Sequence, residues 1–353
     1  MAAADSCSSV CKGLNSMDNF AKRAVADRKS YFDETASRMG SSSTAIEKDF
    51  WVCWCLKRLF ELRDVPELRF KGGTSLSKVF GLIHRFSEDI DISLNRAALG
   101  FSGDRDMANP ALSGNERRKL DAELRAAIEK IVKESILPKL HAGFRAVLGA
   151  DGWSLTSSEE ANEEMTLLFS YPVAVEYGDY LHPQIKIEFG RGDQQPFQTC
   201  PITPYVAETF PKLFPDPSVE VAVLDCQRTF WEKVTLLHAE NHRPDPSKLK
   251  QRMSRHWSDV AVMSTGVRFT DEKLSLDLLR QVIEFKKIFF PSGWAQYEQA
   301  VPGTLRIVPN QELEKVLRRD YEQMREMFWA TPVSFDEILA LLKKLGGRIN
   351  SLK

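Results

Sequence analysis

Between residues 44 and 63, Phe50, Val52, Leu56, Leu59 and Phe60 recur at helical spacing with charges interleaved. That period predicts an amphipathic helix. Residues 13–38 read as helical too, and Ser41-Ser42-Ser43-Thr44 reads as a loop ending in a helix N-cap. The period then changes. Leu68-Arg69-Phe70 reads as a short strand, and the stripe Leu76, Val79, Phe80 and Ile83 as a helix; residues 89–94 alternate strictly and read as a second strand. Residues 101–113, rich in Gly, Asp, Asn and Pro, predict an exposed loop before a long helix over 116–148. Further strands are expected at 165–171, 184–189 and 219–224, with polar or Pro-rich linkers such as 211–217 between them. The remainder is mainly helical. The expected fold class is α+β: an N-terminal helical region (1–63), a core carrying a small mixed sheet (64–265) and a C-terminal helical region (266–353).

Composition narrows the class. Hydrophobic residues make up 43% of the 353 and charged residues 27%, with no long apolar run, so a globular chain without a membrane span is expected. The first residues lack a basic segment followed by an apolar one, which makes the cytoplasm the expected compartment. Six cysteines, none paired at two-residue spacing, predict reduced thiols rather than a disulfide or zinc framework. A net charge of −1 means that any nucleic-acid contact must come from a local patch.

Chemistry concentrates in a few segments. In Asp89-Ile90-Asp91-Ile92-Ser93-Leu94, a strand sends Ile90, Ile92 and Leu94 to the core and both aspartates to the other face. Two carboxylates held so close repel each other unless a cation lies between them, and hard oxygen ligands suit Mg²⁺ or Mn²⁺. A solvated acidic face is the bland alternative. Upstream, the glycines of Lys71-Gly72-Gly73-Thr74-Ser75 permit close backbone approach, and Thr74 or Ser75 can cap the next helix, whose N-terminus would take phosphate. A plain strand-to-helix turn has the same pattern. In residues 184–189, alternation presents Lys186 with Glu188, which either completes a metal site or faces solvent.

These residues resemble the polymerase-β-type nucleotidyltransferases, and more closely the AbiEii toxin family of type IV toxin–antitoxin systems. The resemblance rests on residues 70–78 (FKGGTSLSK) with 85–91 (RFSEDID), and extends to Glu47-Lys48-Asp49-Phe50, 228–233 (RTFWEK) and 255–259 (RHWSD), roughly residues 44–265. It implies that Asp89 and Asp91 bind metal, with Glu188 as a candidate third ligand, and that Lys233 and Asp259 are required. An NTP is the implied substrate, held at Gly72, Gly73, Thr74, Ser75, Lys78 and Arg85. It further implies a growth-inhibiting toxin of abortive infection that modifies RNA, with the tRNA 3′ end as the expected acceptor and a separately encoded antitoxin as partner. Gln227 stands where members often have an acid, and Val262 where they often have a second aspartate.

By residue pattern alone, Lys233 lies at the edge of the stripe Phe230, Trp231, Val234, Leu237, from where it reaches a triphosphate or merely snorkels. Asp259 is open between orienting Lys233 and facing solvent. Arg243, Lys248, Lys250, Arg252 and Arg255 form a basic run expected to follow an RNA backbone, or else a solvated loop. His238 and His242 stand at i, i+4, but the acid one position too late argues against a zinc hydrolase. P-loop, Rossmann and Gly-x-Ser-x-Gly signatures do not occur. The rivals are a sugar transferase, which also holds metal on Asp-x-Asp, and an idle binding module of the same fold.

Overall fold

The computed structural model describes residues 16–158, 164–178, 182–192, 197–328 and 331–352. Helices α1 (Ser16–Ala21), α2 (Val25–Met39) and α3 (Ser43–Phe60) open the chain. The single helix expected over 13–38 is thus broken after Ala21. The break lets Phe20 and Phe32 both meet Phe50, at 4.9 and 6.1 Å between ring centroids. In one straight helix, side chains twelve residues apart point about 120° away from each other. Gly40 ends α2 in the left-handed conformation, φ +63°, and Ser42 caps α3 by accepting from the Ala45 N–H, as the serine loop predicts.

Seven strands form one mixed sheet: β1 (Leu68–Lys71), β2 (Asp89–Leu94), β3 (Ser154–Ser157), β4 (Met165–Ser170), β5 (Gln184–Gly190), β6 (Phe197–Ile202) and β7 (Val219–Leu224). Their order is β3-β4-β5-β2-β1-β7-β6, parallel at β2–β5 and β1–β7 and antiparallel elsewhere. The two strands that the pattern did not reveal, β3 and β6, lie at the edges. Each buries a single side chain, Leu155 and Ile202, so neither carries an apolar period.

Between β1 and β2, α4 (Gly72–Lys78) is shorter than the stripe predicts, because the chain turns at Gly81 (φ +59°) and Ile83 reaches the core from a loop. The helix expected over 116–148 is α5 (Gly114–Ile131) and α6 (Leu137–Leu148), joined by one wide π turn at Val132–Ile136. Pro138, which has no N–H to bond within the helix, follows that turn.

The remaining helices are α7 (Tyr205–Thr209), α8 (Cys226–Glu240), α9 (Ser254–Met263), α10 (Leu276–Phe289), α11 (Gln311–Gln323) and α12 (Phe335–Ser351). Two apolar cores result. In the first, Phe70, Ile90, Ile92 and Val223 of the sheet pack with Trp51 and Trp54 of α3. The second joins Phe230 and Trp231 of α8, Trp257 and Val260 of α9 and Leu342 of α12, and takes in Leu76 of α4. The architecture is the mixed α+β class expected. Among the described residues no helix is long and apolar enough to cross a membrane, and Cys53, Cys55, Cys200 and Cys226 are free thiols.

Candidate active site

The turn from β1 into α4 is shaped by its neighbours. Gly72 has φ +78°, and a Cβ there would fall 1.9 Å from Asp91 Oδ2. A Cβ on Gly73 would fall 2.7 Å from Ser87 Oγ. Gly72 is therefore fixed by close approach to the acidic strand, and Gly73 by close approach to Ser87 in the loop that leads into it. Thr74 and Ser75 do not cap α4 as expected. They lie inside its first turn, where the Thr74 hydroxyl donates to Asp89 O and the Ser75 hydroxyl to Gly72 O. The first of these bonds ties the turn to the acidic strand.

Asp91 is the centre of the sheet's polar face, opposite Lys71 on β1 and Glu188 on β5, while Asp89 lies opposite Lys186. Burial pushes the Asp91 carboxyl up to about 7; Lys71 opposes this, and the Glu188 and Asp89 carboxylates add to it. Burial raises Asp89 as well, opposed by Arg255, with Glu88 and Glu188 adding to the rise. Carboxylates so placed form a hard-oxygen donor set under mutual repulsion, which fits a divalent cation. Glu188 pairs with Lys186 at 2.8 Å. Among the described residues no three His, Cys, Asp or Glu side chains converge ready to hold a metal ion.

A second cluster comes from the helical core. Asp259, wholly buried on α9, receives Arg85 Nε and Nη2, each at 2.7 Å, and Lys233 Nζ at 3.0 Å. Burial alone would raise the Asp259 carboxyl, but Arg85 and Lys233 hold it far below the usual carboxylate range. Burial draws Lys233 below the usual ammonium value against the pull of Asp259. The snorkelling alternative for Lys233 does not describe this geometry, because its ammonium ends on Asp259 rather than in solvent. Arg255, one turn before Asp259, approaches Asp89 Oδ2 to 4.0 Å and spans the two clusters.

The neighbouring charges act as a frame. Three consecutive α3 residues make three separate buried contacts. Glu47 accepts from the Ala174 N–H at 2.7 Å, Lys48 pairs with Glu88, and Asp49 pairs with Lys78 at 2.8 Å. Lys78, expected on the nucleotide, is thus neutralised by Asp49, and its ammonium lies 3.4 Å from the Tyr205 ring centroid. Arg85, expected there too, is spent on Asp259 and on Phe86 O. Glu88 also receives Arg252 at 2.6 Å. These residues stand in the motif segments, but spacing gives no sign of their framing roles, since their partners lie far away in sequence.

The basic run does not act as one patch. Arg252 is held by Glu88, and Arg243 forks onto Glu240 with its guanidinium over the Trp294 ring. Arg255 faces Asp89. Lys248 and Lys250 are exposed, Lys248 beside Asp245 at 3.8 Å. Asp320 on α11 accepts from the Arg252 and Ser254 N–H groups at 2.6 and 2.8 Å and so caps α9 from the C-terminal region. Residues 325–328 form a further clamp, where Met327 O accepts from the Phe86 N–H at 2.6 Å.

His238 of α8 and His242 just beyond its end are taken up by the backbone: His238 Nε2 meets Gln296 O, its Nδ1 accepts from the Arg306 N–H, and His242 Nδ1 meets His238 O. Burial keeps His238 near 4, so it serves as a neutral latch for the segment 296–306.

The site thus joins a glycine turn pressed onto a two-acid strand to a buried lysine–aspartate pair on α8 and α9. Residues 54–341 match the family model described as nucleotidyl transferase AbiEii toxin of a type IV toxin–antitoxin system. The chain belongs to the AbiEii family. The match begins ten residues later than the 44 expected and runs well past 265, through α11 and into α12. Curated proteins yield no match. Among solved structures, the chain is similar to MenT4, a nucleotidyltransferase toxin from Mycobacterium tuberculosis H37Rv, at 15% identity and a TM-score of 0.48, covering 97% of this chain and 91% of that one.

Proposed function

We propose that this nucleotidyltransferase toxin transfers a nucleoside monophosphate from an NTP to the 3′ end of an RNA, with tRNA as the first acceptor to test, in the cytoplasm and under control of a separately encoded antitoxin. The observation that carries the reading is Arg255 standing between Asp89 and the Lys233–Asp259 pair, which joins an anionic and a cationic half into one site. Asp89 and Asp91 would hold Mg²⁺ or Mn²⁺, joined by Glu188 once it turns from Lys186. Such an ion supplies charge neutralisation at the phosphates and acidity at the acceptor hydroxyl. The turn at Gly72 and Gly73, closed onto Asp91 and Ser87, would set its backbone beside the phosphates. Lys233 stabilises the charge that develops as pyrophosphate departs, with Asp259 holding it in place. Lys248 and Lys250 contact the RNA backbone.

The test is incubation of the purified protein with each labelled NTP and total cellular RNA in Mg²⁺, followed by sizing of the labelled product. Label on RNA in the tRNA size range, lost in Asp89→Asn, is the expected result. Label on protein or on a small molecule would move the acceptor, and no transfer to any acceptor would refute the reading.

A further inference from the structure

Lys233 has a second partner, one residue beyond Arg255. His256 lies on the same face of α9 as Asp259, three positions earlier, and its Nδ1 meets Lys233 Nζ at 3.2 Å. An ammonium is donor only, so Nδ1 accepts and the ring proton sits on Nε2. The ring is neutral for a visible reason. Burial together with Lys233, Arg255 and Arg85 disfavours the imidazolium, and Asp259 alone favours it.

The charge count in this cluster is informative. Arg85 and Lys233 bring two positive charges and Asp259 one negative charge, so one positive charge remains. A carboxylate at position 256 would cancel it. An apolar side chain would leave an N–H of Lys233 unpaired and let the ammonium fall wholly onto Asp259. A neutral acceptor does neither: it fixes a second N–H bond, preserves the charge and leaves the third N–H to point elsewhere.

We propose that His256 is a positioning residue for Lys233, a neutral hydrogen-bond acceptor that aims the ammonium at the triphosphate while keeping its charge available. This rests on the nucleotidyl-transfer reading above and gives a role in that site to a residue to which the resemblance assigned none.

Three substitutions separate the possibilities. His256→Asn keeps an acceptor near Nδ1, His256→Phe keeps ring volume without one, and His256→Asp adds a charge. Transfer kinetics and thermal melts are measured on the full chain, alongside ¹⁵N NMR of the histidine rings. Misaiming a group in a site costs about 10²-fold in rate. The expected result is a kcat about 10²-fold lower in His256→Phe and His256→Asp, with KM for RNA unchanged, and a kcat within severalfold of wild type in His256→Asn. Full kcat in His256→Phe overturns the proposal, as does a loss in all three variants that tracks their melting temperatures. The NMR arm needs no turnover. A ring protonated on Nδ1 overturns the positioning role even if the transfer reading holds, whereas inactivity of the wild type with an Nε2–H ring overturns the transfer reading alone.

Discussion

Lys71 stands directly opposite Asp91 across β1 and β2, and the residue after Lys71 passes so close to that carboxylate that no side chain fits. Gly72→Ala must therefore both move Asp91 and strain a backbone at φ +78°. A non-glycine residue in such a conformation costs about 1–3 kcal/mol before the collision is added. Expected are a lowered melting temperature and loss of transfer. Calorimetry and the labelled-NTP assay check this, and an Ala variant with wild-type turnover would contradict the described approach.

The Asp91 carboxyl titrates near 7 in the folded chain against 3.8 without structure. A group raised by folding favours the folded state while protonated. That contribution is complete below about 3.8 and disappears as pH rises through 7. Without metal, Asp91→Asn should thus be more stable than wild type at pH 8, with the difference shrinking toward pH 4. Added Mg²⁺ should stabilise wild type more at pH 8 than at pH 6, because the ligands must be ionised, and a chelator should remove the effect. Thermal melts across that range decide it; a difference independent of pH would refute the assignment.

Lys233 and Asp259 should fail differently. Asp259→Asn leaves two buried cations facing each other, and breaking a buried pair in this way costs about 3–5 kcal/mol. Lys233→Met leaves Asp259 still gripped by Arg85 through two bonds. Both should lose transfer, but only Asp259→Asn should unfold much earlier in urea. Equal urea midpoints would show that the Arg85–Asp259 contact is not structural.

Of the basic run, only the exposed lysines should alter RNA affinity. Lys248→Gln with Lys250→Gln is expected to weaken RNA binding and to reduce its salt slope by about one to two units. NTP affinity should not change. Arg252→Gln should instead lower stability through Glu88. RNA titrations at several salt concentrations test this, and an unchanged slope would move the acceptor path off this loop.

Much of the site was legible because it is local. The alternation of 89–94, the paired glycines and the stripe beside Lys233 each encode a face or a close approach within a few residues. Lys78 and Arg85 could not be placed that way, since Asp49 and Asp259 lie 29 and 174 positions away. For Arg252 in the basic run the same reason holds, as its partner Glu88 lies 164 positions away, whereas the Glu240 that takes up Arg243 stands only three positions before it. The edge strands β3 and β6 stayed hidden because one buried side chain each leaves no period to detect. His256 was within reach, sharing a helix face with Asp259, but a lone histidine gives no sign of its tautomer.

Asp89 and Asp91 are anchored by the sheet's core, whereas Lys233 and Asp259 are anchored by the helical one. Arg85–Asp259, Arg252–Glu88 and Arg255–Asp89 are polar ties between the two, beside the Phe86–Met327 bond. Turnover therefore gauges the alignment of two apolar cores: a small slip between them would disarm the toxin while leaving every helix and strand intact.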